Sequence, residues 1–198
     1  MAVAIEHDKR REQILEKALG VFVDDGFGNT TFQKIADRCG ITRTILYLYF
    51  KNKREIFNYS IKQVLGSAEI HIRTICDDKS LTSIEKMTKV LLDILSLLEQ
   101  NRRLLFVILD YLLHLSKNDI NTEERVRRRT FKVRHILSSM VNEGVKAGEL
   151  KKHKAKQAGD YLYSFIEAGI FQLVVLKRKN LDDLKETVVF AVKQFALV

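Results

Sequence analysis

The chain has 198 residues, no proline, 9 glycines, 46% hydrophobic residues and a formal net charge of +9. With nothing to break a helix as proline does, this composition predicts an all-α protein of long helices, long enough for one small domain and one larger. It argues against a disulfide framework, since Cys39 and Cys76 stand far apart without metal spacing, and against a membrane span, since the run Leu104 to Leu109 is far too short.

The first predicted helix carries Ile14, Leu15, Ala18, Leu19, Phe22 and Val23 as a stripe and stops at Asp24-Asp25-Gly26. In the next, Phe32, Ile35, Ala36 and Cys39 recur at spacings of three and four, leaving Gln33, Lys34, Asp37 and Arg38 outward. Gly40 stands where that helix must end, Ile41 drops into the core and Thr42 caps a further helix from about Arg43. There Ile45 and Leu46 are interleaved with Arg43, Thr44, Tyr47 and Tyr49, too many polar or aromatic residues for a helix that only fills a core. A short helix, a glycine turn and a second short helix form a helix-turn-helix, whose second member can enter the major groove of DNA.

The charge agrees. From Thr30 to Arg54 there are six basic residues (Lys34, Arg38, Arg43, Lys51, Lys53 and Arg54) against one acid, Asp37, a net +5. Lys51-Asn52-Lys53 leads into a helix from about Lys53, whose free N–H groups favour a phosphate. Two other basic clusters, Arg125, Arg127, Arg128, Arg129, Lys132 and Arg134, then Lys151, Lys152, Lys154 and Lys156, read as a solvated helix face and a loop.

From Arg11 to Phe57 the chain, with QILEKALGVFVDDGF, TTFQKIADRCGITRTILYLYF and KNKREIF, resembles the N-terminal domain of the tetracycline-repressor (TetR) family of bacterial transcriptional regulators. The likeness lies in the IL-x-x-A-x-x-x-F first helix, the following Gly-Phe, the Thr-Thr before Ile-Ala, the Leu-Tyr-x-Tyr-Phe ending and the Asn-Lys. Cys39 stands where members commonly have Ala, and Thr44-Ile45 where they commonly have Gly-Thr. The resemblance implies that Arg43, Thr44 and Tyr47 face the groove with Gln33 reaching in beside them. By the same resemblance Thr31, Thr42, Tyr49 and Lys53 hold phosphates, which position the head without reading sequence. It also implies a head over residues 1–53 and a helical body for ligand binding and dimerisation over 54–198.

Further helices are predicted over Lys53 to Ile75, Leu81 to Glu99, Leu104 to Leu115, Thr122 to Ala147, Lys156 to Lys177 and Leu181 to Ala196. Leu104 to Leu115 is apolar nearly all round, with Asp110 and His114 on one face beside Tyr111. These three, with Phe106, Met140 and Tyr161, are candidates to line the effector cavity that the resemblance implies, and core packing or a satisfied buried hydrogen bond is the simpler reading of each alone. The last two helices leave little polar face. Phe165, Gly169, Leu173, Val188, Val192 and Phe195 are candidate dimer contacts, with an internal core as the other reading.

No H-E-x-x-H, G-x-S-x-G, Walker or dinucleotide glycine motif occurs, and the five histidines are scattered, so no enzyme, metal or cofactor is expected. Met1 to Ile5 is too short for a secretory signal, which points to the cytoplasm. The expected protein is a homodimeric repressor that binds a palindromic operator in double-stranded DNA and is released by a small-molecule effector. A ligand-independent DNA-organising factor and a helical small-molecule binder without regulatory DNA binding remain the other readings.

Overall fold

The computed structural model describes residues 2–117 and 122–197. Its elements are α1 (Ala2–Asn29), α2 (Phe32–Cys39), α3 (Arg43–Tyr49), α4 (Lys53–Asp77), α5 (Ser83–Gln100), α6 (Arg102–Lys117), α7 (Thr122–Lys146), α8 (Ala155–Val174) and α9 (Asp182–Lys193). Among the described residues there is no strand, only an isolated bridge between Leu150 and Ala196, and no helix long and apolar enough to cross a membrane. The helices fall into two compact units, Met1–Glu69 with Phe106–His114, and Ile70–Leu105 with Leu115–Val198. The first is larger than a head ending at residue 53, because it takes in most of α4 and the middle of α6.

In that unit Ile14, Ala18 and Phe22 of α1, Ile35 and Ala36 of α2, Leu46 of α3 and Ile56 and Phe57 of α4 are buried together with Phe50. The stripe of α2 is buried throughout, whereas Leu19 and Val23 of the α1 stripe and Ile41 of the turn are only half-buried, and Val21 is buried beside the α1 stripe. At one end Phe22, Phe27, Phe57 and Tyr111 gather, with ring centroids 4.4 Å apart for Phe27 and Tyr111 and 4.8 Å for Phe22 and Phe57. Ring pairs at such distances add about 0.5–1.5 kcal/mol each beyond the area they bury.

The second unit has its own core, built from Met87, Leu91 and Leu95 of α5, Leu137 and Val141 of α7, Leu162, Ile166 and Leu173 of α8, and Val188 and Val192 of α9. Glycine sets one helix spacing. A Cβ at Gly159 of α8 would stand 2.1 Å from Ser138 Oγ and 3.0 Å from the Arg134 carbonyl oxygen of α7, so only hydrogen permits that approach. Glu99 joins α5 to α9: it accepts from the Leu181 backbone N–H and pairs with Lys185 Nζ at 2.5 Å, supplying the cap that Leu181 itself lacks.

Candidate nucleic-acid interface

The helix-turn-helix is set by local rules that the residues obey one by one. Thr31 precedes α2 in extended conformation and its Oγ1 accepts from Lys34 N at 3.2 Å, while Thr42 does the same for α3 from Ile45 N at 3.2 Å. Each such cap is worth about 1 kcal/mol. Gly40 closes α2 at φ 67°, ψ 36°, a left-handed conformation costly for any residue with a Cβ. Both threonines expected at phosphates are therefore also the caps that build the motif.

Within α3 only Leu46 is buried, and Arg43, Thr44, Ile45, Tyr47 and Leu48 are exposed. A helix that contributes one side chain to its own core is held for what it shows to the outside. Arg43 donates from a guanidinium nitrogen to the Tyr47 hydroxyl at 3.1 Å and lies 5.5 Å from that ring's centroid, while the ring stacks on Phe32 at 4.6 Å. Arg43 and Tyr47 thus stand together on one face. Thr44 is exposed, and Gln33 of α2 is exposed but donates to Asp37 Oδ1 at 2.7 Å, a bond it gives up to reach a base. Tyr49 is stacked on His7 of α1 at 4.5 Å.

One exposed residue escaped the sequence reading. Leu48 is 75% exposed, about 200° round the helix from buried Leu46, where an apolar side chain has no structural use. Its signal was available, since the pair Leu46 and Phe50 marks the buried side of α3 and sets Leu48 opposite.

The charge of the window is smaller in space than in sequence. Lys34 pairs with Asp25 at 2.7 Å and Arg38 with Asp24 at 3.1 Å, acids just upstream of the counted stretch. Lys53 is turned inward: its Nζ donates to the carbonyl oxygens of Phe27, Gly28 and Thr30 at 2.9, 3.0 and 2.9 Å, and burial pulls its pKa below the ordinary 10.5. An ammonium has three hydrogens. A phosphate contact by Lys53 therefore costs one of these bonds. The start of α4 is also partly filled, because Asn52 Oδ1 accepts from Glu55 N at 2.9 Å and Glu55 Oε2 from Lys51 N at 2.7 Å.

The body candidates are divided between the two units. On α6, Phe106 and Asp110 are exposed, Tyr111 is buried with no hydrogen-bond partner for its hydroxyl among the described residues, and the side chain of His114 lies outside them. In the second unit Met140 belongs to the core, and Tyr161 is half exposed, edge-on to Phe165 at 5.3 Å. Of the candidate dimer contacts, Leu173, Val188, Val192 and Phe195 are buried in the body's own core, and Gly169 is packed beneath Leu95 and Leu181. Only Phe165 is partly open. The exposed aromatics of α8 and α9 are instead Tyr161, Phe171 and Phe190.

Residues 14–59 match the family profile described as bacterial regulatory proteins, tetR family. The fatty acid metabolism regulator protein of Bacillus subtilis (strain 168) is 27% identical over 140 residues, 71% of this chain and 70% of that protein. Among solved structures, a TetR transcription regulator from Haloarcula marismortui superposes with a TM-score of 0.79 at 18% identity, over 96% of this chain and 97% of the other. The transcriptional regulator FadR from Bacillus subtilis, in complex with stearoyl-CoA, gives a TM-score of 0.71 at 23% identity over 91% and 96%. At those identities the two structures share the fold, and the matched profile falls on the capped, outward-facing helix pair described above. Residues 14–59 thus form a DNA-binding head of the TetR family of bacterial regulatory proteins, on a chain that shares the fold of solved TetR-type regulators over more than nine-tenths of its length.

Proposed function

We propose that this regulator is a homodimeric, cytoplasmic repressor whose two heads read a palindromic operator in double-stranded DNA and release it when a small molecule occupies the helical body. The observation that carries the reading is α3, capped at its start by Thr42 and buried only at Leu46, so that Arg43, Thr44, Tyr47 and Leu48 are free to meet base edges. Gln33 reaches in from α2, and Thr31, Thr42 and Tyr49 meet phosphates. Two such heads enter successive major grooves only when about 34 Å apart. Selection from a random duplex pool by the full-length chain should enrich a symmetric motif with half-sites at that spacing. A pool that stays unenriched would sink the proposal.

For the effector we propose a long-chain acyl thioester of coenzyme A. The likeness to the Bacillus subtilis fatty acid regulator covers 140 residues, more than the 14–59 head match can hold, so it extends into the body. Phe106, Asp110 and Tyr111 of α6 are the proposed contacts. The buried hydroxyl of Tyr111, without a hydrogen-bond partner among the described residues, supports a polar group in the ligand. Such a molecule shifts the protein only by its unequal affinity for bound and free forms. Adding stearoyl-CoA to a preformed complex with a selected duplex should dissociate it, where free CoA does not. Equal DNA affinity with and without stearoyl-CoA would refute this effector class.

A further inference from the structure

The segment that leaves α1 is held by side chains along its whole carbonyl edge. Gly26 kinks α1 at φ 77°, ψ 162°, and around this break side chains reach the backbone carbonyls from Asp25 to Thr30. Asn29 Nδ2 serves Asp25 O at 3.3 Å, Thr30 Oγ1 serves Gly26 O at 2.6 Å, and Lys34 Nζ serves Asn29 O at 3.3 Å. Lys53 serves the remaining three, Phe27, Gly28 and Thr30, from across the turn, with its Nζ also 4.8 Å from the centroid of the Phe27 ring. Three oxygens about a single point suit a compact ammonium. A planar guanidinium, with its donors spread in a fork, does not fit such a cage.

What the cage holds bears on DNA. The residue after Thr30 is Thr31, whose hydroxyl caps α2, and α2 carries Gln33 and packs Phe32 under Tyr47 of α3. We infer that Lys53 is a positioning residue for DNA binding, an internal cation that clasps the turn between α1 and α2 and thereby sets α2 and the reading face of α3. The DNA part rests on the function proposed above; the clasp itself does not.

The test uses full-length chains and a duplex selected from a random pool. In Lys53→Met the unfolding midpoint of the head should fall by roughly 5–10 °C. Well below that midpoint, affinity for the selected duplex should be down about tenfold, with an unchanged slope of log affinity against log salt. Lys53→Arg keeps the charge but not the fit, and should lose as much. In Lys53→Ala, methylammonium chloride should restore part of both the midpoint and the affinity, relative to tetramethylammonium chloride at equal ionic strength, which cannot donate hydrogen bonds. A phosphate ligand behaves otherwise: midpoints stay put, Lys53→Arg binds normally, and Lys53→Met lowers the salt slope by about one per subunit. That pattern, or equal effects of the two ammonium salts, overturns the clasp. If the unmodified chain selects no DNA, the regulatory reading falls, and midpoints with methylammonium still decide whether the clasp exists.

Discussion

Arg43 is the only residue in the first turn of α3 able to give two hydrogen bonds to one guanine, a contact worth about 1–3 kcal/mol of discrimination. In the free protein its guanidinium leans on Tyr47 through a 3.1 Å bond to the hydroxyl, which limits the rotamers it must lose on binding. Arg43→Ala should relax preference at one base pair in each half-site, symmetrically, while non-specific binding loses only one charge; identical selected motifs for variant and wild type would exclude base reading by Arg43. Leu48 can touch a thymine methyl, and Leu48→Ala should cost about 1 kcal/mol, roughly fivefold, at one thymine and nothing at the others. Competition binding against single-base variants of the selected site reads this directly. The cap Thr42 and the turn at Gly40 were legible in the sequence because each depends on residues three or four positions away, and the same rule, applied to Thr31, would have found the cap of α2. The clasp was not, because Lys53 meets its carbonyls 23 to 26 residues upstream, and no local pattern records such a pairing.

Helix existence and limits follow from periodicity, and α4 to α9 lie within a few residues of where the apolar stripes place them. What periodicity cannot supply is the identity of the neighbour. The nearly all-round apolar pattern of α8 signals contact on several sides, yet Leu173 proves to face its own core and Phe171 the outside. Gly159 is likewise an internal spacer, and Gly159→Leu should destabilise the body by about 1–3 kcal/mol through overpacking against α7. Denaturant unfolding measures it; a loss below 0.5 kcal/mol, a threshold set by ordinary surface substitutions of about that size, would mean that α7 and α8 are not in such contact. The start of α5 yields a pH dependence. Glu85 is held below its ordinary 4.5 by the Thr82 backbone N–H and hydroxyl, and Glu149 by the Ser83 backbone N–H. Carboxylates lowered on folding stabilise the fold above 4.5, and that contribution disappears as pH falls through their depressed values. The unfolding midpoint should therefore drop below pH 4.5, and less steeply in Glu149→Gln; parallel curves would exclude Glu149 from the effect.

The two compact units divide the chain elsewhere than the motif does. A sequence boundary at Lys53 marks the end of the recognisable head, but α4 is one unbroken helix, and its apolar residues Ile56, Phe57 and Ile61 belong to the head's core, so the unit runs on to Glu69. The homodimer proposed above would use what the body leaves uncovered. Val188 and Val192 of α9 are already spent on the internal core, whereas Phe190 between them is 68% exposed, and Phe171 of α8 is 53% exposed. An aromatic ring left in water at each of the last two helices suits burial in a twofold interface, where every residue counts twice. Covering one phenylalanine is worth about 1.5–3 kcal/mol, so a symmetric pair contributes at least about 3 kcal/mol, roughly a hundredfold in the association constant. Phe190→Glu adds the cost of a charge in that place, and should turn a micromolar solution of dimers into monomers without lowering the helical signal, because the side chain lies outside the core. Sedimentation equilibrium compares the two chains. Persistent dimers in both Phe190→Glu and Phe171→Glu would place the interface elsewhere, and a monomeric unmodified chain would remove the dimer, and with it the reason for a palindromic operator.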